Sequence, residues 1–245
     1  MTDSVRFGWT VLLPVKVLAR AKSRLAVLAG DRRRELALAL ASDTVAAVLA
    51  CPEVARVVVV TSDPVAGPLL AALGAVVVPD APADRPAGRG SRGTLDGADV
   101  TGALGDLGVQ DLLNAALRHG AAVAARRWPG TGLAALTADL PAVSPAELAG
   151  ALRDAASSPG PAVFVPDAAG VGTTLYAVRP GGEFRPLFGG ASRARHAAAG
   201  AAELDLDVMT GLRRDVDTPD DLREALALGV GPFTRAVAAD LFTDV

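Results

Sequence analysis

Residues 10–61, TVLLPVKVLARAKSRLAVLAGDRRRELALALASDTVAAVLACPEVARVVVVT, hold two short apolar runs on either side of a long segment with apolar residues at helical spacing. Thr10–Leu13 and Val57–Thr61 are too short for helices and too continuously apolar for half-exposed strands, so both read as strands buried on two faces. Residues 31–50 carry apolar positions at helical spacing over a length that suits a helix. A strand, a helix and a second strand in that order predict a parallel pair joined by a crossover.

The same alternation continues outward. Ala75–Val78, Leu133–Thr137, Ala162–Val165 and Leu175–Val178 read as further strands, and 111–125, 144–156, 192–202 and 219–228 as helices. The expected fold is α/β, with a mostly parallel central sheet and helices on both faces. The 245 residues, half of them apolar, fit a single domain over 1–245. Residues 81–110, APADRPAGRGSRGTLDGADVTGALGDLGVQ, are rich in glycine and charge and show neither period, so they read as a long loop insertion.

Charge and composition exclude several classes. A net charge of −3 lacks the broad positive potential of a general nucleic-acid or acidic-membrane surface. The start MTDSVRFGWT has no apolar signal core, no apolar run reaches the roughly 18 residues of a spanning helix, and Cys51 stands alone, so the expected compartment is the cytoplasm. Two histidines and one cysteine are too few for a structural zinc site, while 27 carboxylates favour a hard oxygen-bound ion, for which magnesium is the default. No G-x-x-x-x-G-K-[ST] or G-x-G-x-x-G motif follows the first strand, and the chain has no G-x-S-x-G elbow, which removes support for P-loop hydrolysis, dinucleotide chemistry and a serine nucleophile.

What remains is polar chemistry at the carboxyl ends of the strands, where ligands collect in such sheets. The basic residues are 22 arginines and two lysines, and both lysines, Lys16 and Lys22, lie in the loop after the first strand beside Arg20 and Arg24. Compact ammonium groups there suit phosphate. Ser62, Asp63, Asp80, Asp139 and Asp167 follow the later strands. Asp139 emerges from a buried run and is followed by Leu140 and Pro141, which places a carboxylate at the sheet edge for a divalent ion or for a turn. In LRRDVDTPDDL, Thr218 through Asp221 form a helix start, whereas Asp215 and Asp217 alternate with Val216 and share one side if extended. Asp217, next to the turn, is the stronger ligand candidate. The glycines around Thr173 and Thr174 in DAAGVGTTLYAV let backbone N–H groups approach an anion, with a β-turn as the alternative. Gly189 and Gly190 precede Ser192, an apt N-cap for an anion-attracting helix. His196, one turn on, is read as packed or solvated rather than as a base.

Together, LLPVKVLARAKSRLA, ADLPAVSPAEL, AAGVGTTLYAV, LFGGASRARHAAAGA and LRRDVDTPDDL, in this order, resemble the guanylyltransferases of deazaflavin coenzyme F(420) biosynthesis. The resemblance covers about Val11 to Leu228 apart from 81–110. It implies a glycosyltransferase-A-like (Rossmann-like) nucleotidyltransferase fold. It also implies transfer of GMP from GTP to phosphoenolpyruvate, the acceptor of actinobacterial members, giving enolpyruvyl-2-diphospho-5'-guanosine and pyrophosphate.

Carried over by position, the resemblance implies magnesium on Asp139 and Asp217, with Asp215 as the alternate. It assigns the acceptor's phosphate and carboxylate to Thr174, Gly189 and Ser192. Lys16, Lys22 and Arg24 would hold the GTP phosphates as the catalytic cations, and Asn114 would lie near the nucleotide. The chain has Leu112 and Ala138 where the family has glycine, and both bear on how closely backbone approaches nucleotide. An unstable diphosphate product makes direct handover to the next enzyme of the pathway reasonable. The alternatives are 2-phospho-L-lactate or 3-phosphoglycerate as acceptor, a molybdenum-cofactor or sugar-phosphate nucleotidyltransferase, and a nucleotide-binding module without catalysis.

Overall fold

Val11, Leu12, Leu13, Val58, Val59 and Val60 are all almost completely buried, as strands covered on both faces must be. In the computed structural model the described residues are 7–15, 23–80, 101–205, 210–239 and 241. Among them the strands are β1 (Trp9–Pro14), β2 (Val54–Val60), β3 (Val76–Val78), β4 (Gly132–Leu136), β5 (Val163–Pro166), β6 (Thr173–Val178) and β7 (Ala202–Glu203). The helices are α1 (Ala26–Ala29), α2 (Arg33–Leu49), α3 (Ala66–Ala72), α4 (Thr101–Arg127), α5 (Pro145–Ser157), α6 (Ser192–Ala198), α7 (Thr210–Arg213), α8 (Pro219–Leu228) and α9 (Pro232–Ala238).

The strands form one seven-stranded sheet in the order β3-β2-β1-β4-β6-β5-β7. β1 pairs in parallel with β2 and β4, β2 with β3, and β5 with β7, while β6 runs antiparallel to both β4 and β5. The expected mostly parallel sheet is therefore present. The order reverses between β1 and β4, so the crevice beyond their carboxyl ends is the topological switch point. Only six residues, 167–172, separate β5 from β6, too few for a parallel crossover, which forces the hairpin.

Both faces are covered. Val11, Leu13, Val57 and Leu136 pack with Ala41, Val45 and Val48 of α2 and Leu148 and Leu152 of α5. Leu12, Val58, Val60, Ala135 and Tyr176 face the other way, against Ala116, Leu117 and Ala121 of α4. A third cluster joins Leu36 and Leu40 of α2 to Val216, Leu222 of α8 and Val237 of α9, so α2 is buried on two sides. α4 lies so close to the sheet that a Cβ on Gly120 would stand 2.6 Å from Val60 Cγ2 and 3.0 Å from Leu12 Cδ2. Among the described residues no helix is long and apolar enough to cross a membrane.

Three expectations change. Residues 101–110, read as loop, are the first turns of α4, because Gly102, Gly105 and Gly108 interrupt a pattern that the packed segment beyond them propagates backwards. The expected helix 192–202 stops at Ala198; Gly200 takes φ +85° and Ala202 enters β7. Ser192 is not an N-cap. Ala191 holds that position and α6 begins at Ser192, whose hydroxyl makes no cap bond. Residues 81–100, the remainder of the insertion, lie outside the described residues.

Candidate active site

Because β6 runs antiparallel, its start lies at the same edge as the end of β4. Leu136 is in register with Leu175, and the N–H of Thr137 donates to the carbonyl of Thr174 at 2.9 Å. Thr174 thus joins Asp139 at the switch point. Thr174 and Ser192 are each 1% exposed, and neither hydroxyl oxygen has a hydrogen-bond partner among the described residues. The oxygen of Thr137 is in the same condition.

The segment between β6 and α6 is held by side chains from two helices. Asn114 on α4, buried, donates from Nδ2 to the carbonyl of Phe188 at 3.1 Å and accepts the N–H of Phe188 on Oδ1 at 2.9 Å. Arg195 on α6 donates to the carbonyls of Phe188 and Gly189. His196, completely buried, accepts the Leu187 N–H on Nε2 at 2.9 Å, so its proton resides on Nδ1 and is donated to Thr173 Oγ1 at 3.0 Å. The ring stacks on Phe164 and Tyr176 and meets Phe188 edge-on. Burial, reinforced by the Arg195 charge, lowers its pKa to about 4, so the imidazole is neutral and both nitrogens are occupied. His196 is a brace for residues 187–190, as its reading as a packed residue requires. Gly189 and Gly190 follow with φ of +97° and +45°, backbone that glycine alone adopts without strain.

Asp139 is drawn toward the α8 start by a bond from the Val216 N–H to its carbonyl, 3.1 Å. Its neighbour Leu140 donates its N–H to Thr44 Oγ1 at 3.0 Å, and Gly231 donates to the carbonyl of Pro141 at 3.1 Å. Val216 is buried, with Asp215 half-buried and Asp217 exposed on either side of it. Thr218 caps α8 in a capping box with Asp221, which also accepts the Asp217 N–H at 3.1 Å. Thr218 and Asp221 are thus the helix start that the sequence indicates. Among the described residues no three His, Cys, Asp or Glu side chains gather as a ready-made metal cage.

Other strand-end polar groups serve the backbone. Asp63 Oδ1 caps α3 through the N–H groups of Val65 and Ala66 at 2.9 and 2.8 Å, and Ser62 bonds to Asp80. Asp167 accepts the N–H groups of Val171 and Gly172, both at 2.8 Å. The glycine turn before Thr173 is accordingly closed on its own aspartate. Arg24 is exposed just ahead of the buried Leu25. Lys16 and Lys22 lie outside the described residues. Nothing in LAALTADLP announces the pairing of Thr137 with Thr174.

No family model matches the chain. The chain is 56% identical over 234 residues to the phosphoenolpyruvate guanylyltransferase of Streptomyces coelicolor, covering 95% of this chain and 97% of that protein. It belongs to the phosphoenolpyruvate guanylyltransferase family. The enzyme of the same name from Thermomonospora curvata is 54% identical over 231 residues, 94% of this chain and 89% of its own length. That from Nocardia farcinica is 42% identical over 94% and 90%. Among solved structures, one described as a nucleotide-diphospho-sugar transferase from Desulfovibrio desulfuricans superposes with a TM-score of 0.54. At 16% identity over 90% of this chain and 96% of that one, it shares the fold. Members of the guanylyltransferase family are nucleotidyltransferases, and the fold is the one expected.

Proposed function

We propose that the protein transfers GMP from GTP to phosphoenolpyruvate. The observation that carries this reading is the pair of buried hydroxyls, Thr174 near the start of β6 and Ser192 at the start of α6 just after Gly189 and Gly190, without partners among the described residues. Buried polar groups are ordinarily satisfied, so a pocket built around open hydroxyls favours a ligand rich in anionic oxygens.

An oxygen of the acceptor phosphate attacks the α-phosphorus of GTP, a new P–O bond forms, and the bond to the β-phosphate oxygen breaks with pyrophosphate leaving. The attacking oxygen is already an anion, so no proton has to be removed. The neutral, doubly bonded His196 agrees with a site that needs no base. Thr174, Gly189 and Ser192 orient the acceptor, and Lys16, Lys22 and Arg24 offset the charge that grows on the leaving pyrophosphate. Asn114, which holds Phe188 from α4, is assigned to the nucleotide.

Asp139 and Asp217, with Asp215 as the alternate, fit magnesium, which is commonly held by one or two carboxylates with phosphate and water oxygens completing its shell. When bound, the ion supplies charge neutralisation between acceptor and α-phosphate. This reading assigns the reaction to the cytoplasm, in coenzyme F(420) biosynthesis, with the product handed to the next enzyme of that pathway.

The test is magnesium-dependent pyrophosphate release from GTP, with phosphoenolpyruvate, 2-phospho-L-lactate and 3-phosphoglycerate supplied separately and ATP and CTP as controls. Release with GTP and phosphoenolpyruvate is expected. Silence with all three acids while GTP still binds would move the acceptor to another class, such as a sugar phosphate.

A further inference from the structure

We propose that Thr137 is a third hydroxyl of the acceptor pocket, donating to an anionic oxygen of the bound phospho-acid; the proposal rests on the acceptor binding at Thr174 and Ser192. Thr137 is the residue after β4, bonded through its N–H to the carbonyl of Thr174 at 2.9 Å. The preceding same-face pair of this antiparallel ladder, Ala135 and Tyr176, points toward α4, so Thr137 and Thr174 direct their side chains to that face together. The first turn of α6 is tied to the loop just before β6 by the Arg193 N–H on the carbonyl of Val171, 3.1 Å.

Other hydroxyls of this fold are paired. Thr44 Oγ1 donates to the Leu40 carbonyl at 2.8 Å, Ser42 Oγ to the Leu38 carbonyl at 2.8 Å, and Thr10 bonds to Thr131 at 2.9 Å. Among the described residues, four side-chain hydroxyl oxygens closed to solvent have no partner: Thr137, Thr174, Ser192 and Thr234. Thr234 sits on α9, whereas Thr137 and Thr174 are neighbours at the adjoining ends of β4 and β6, and Ser192 opens α6, whose Arg193 N–H is bonded to the loop before β6. A hydroxyl shut from water and left open by its own fold is costly unless a ligand completes it. Thr137 is also two residues before Asp139.

The experiment uses the full chain with Thr137→Val, which keeps the branched side-chain shape and replaces the hydroxyl by a methyl, beside Thr137→Ser and Thr174→Val. Steady-state rates with GTP, magnesium and varied phosphoenolpyruvate are measured together with melting temperatures without ligand. Thr137→Val is expected to raise KM for phosphoenolpyruvate about 10-fold or more, the usual weight of a hydrogen bond to a charged group. KM for GTP should stay near wild type, the melting temperature should hold or rise, and Thr137→Ser should restore the wild-type KM. A wild-type KM in Thr137→Val with a raised KM in Thr174→Val would overturn the role of Thr137 and leave the pocket standing. Unchanged KM in both valine variants, or no turnover of phosphoenolpyruvate by the wild type, would overturn the acceptor reading and this proposal with it. A lowered melting temperature with unchanged KM would make Thr137 a packing residue only.

Discussion

The N–H of Val216 donates to the carbonyl of Asp139 at 3.1 Å, joining two loops that are 77 positions apart in sequence and putting the Asp139 and Asp217 segments side by side. Loss of either carboxylate should therefore act on one centre. Asp139→Asn and Asp217→Asn are each expected to lower kcat by about 10²-fold or more, since a bound ion contributes several kcal/mol to a phosphoryl transition state. Asp215→Asn should cost less. Raising the magnesium concentration should recover part of the loss, and full activity of Asp139→Asn would remove that residue from the metal assignment.

Lys22→Ala tests the loop after β1. A cation that meets the transferring phosphates mainly in the transition state is worth about 10³-fold or more in kcat. The expected pattern is a fall in kcat larger than the rise in KM for GTP. A change confined to KM would assign Lys22 to ground-state binding alone.

His196 makes stability depend on pH. Its folded-state pKa, about 4, lies below the ordinary value of 6.5, so the neutral form is the one the fold favours. The contribution is fully present above pH 6.5 and is lost as pH falls toward 4, because the unfolded chain takes up the proton first. Arg195, the charged neighbour, acts in the same direction. Denaturant titrations should show a loss on the order of 1–3 kcal/mol across that window in the wild type. His196→Gln should be less stable at pH 8 and should lack that part of the slope. An identical slope in the variant would assign it to other groups.

Gly120→Ala sets two effects against each other. Alanine gains about 1 kcal/mol of helix propensity over glycine. The added Cβ, however, would meet Val60 Cγ2 at 2.6 Å across a filled interface between α4 and the sheet. Overpacking of this kind costs about 1–3 kcal/mol, so the variant should melt lower than wild type despite its better helix former. A higher melting temperature would mean that α4 moves away freely.

Much of the architecture was open to a reader of the chain. The six strands were visible because each is an uninterrupted apolar run bounded by turn residues, and α5 and α8 because Ser144 and Thr218 precede proline and a first-turn acid. β7 was not visible, since two residues carry no period. The start of α4 was hidden by its glycines. Asp63 and Asp167 resembled ligand candidates because a carboxylate after a strand looks the same whether it serves a ligand or caps a turn; hydrogen bonds from Val65, Ala66, Val171 and Gly172 distinguish them.

The order of apolar runs determined a mostly parallel α/β sheet, because burial of a strand on two faces requires a continuous apolar run that can be read locally, whereas the switch point between β1 and β4 came with the folded strand order. The five motifs likewise carried the family, since their residues stand in fixed order along the chain. Tertiary structure decided which hydroxyls and carboxylates share a site. The antiparallel turn of β6 brings Thr174 beside Thr137, α4 supplies Asn114 to Phe188, and α6 supplies His196 to Leu187. Those pairings join residues that no periodicity links, and they are fixed by packing and hydrogen-bond satisfaction across the sheet, which appear only once the chain has folded.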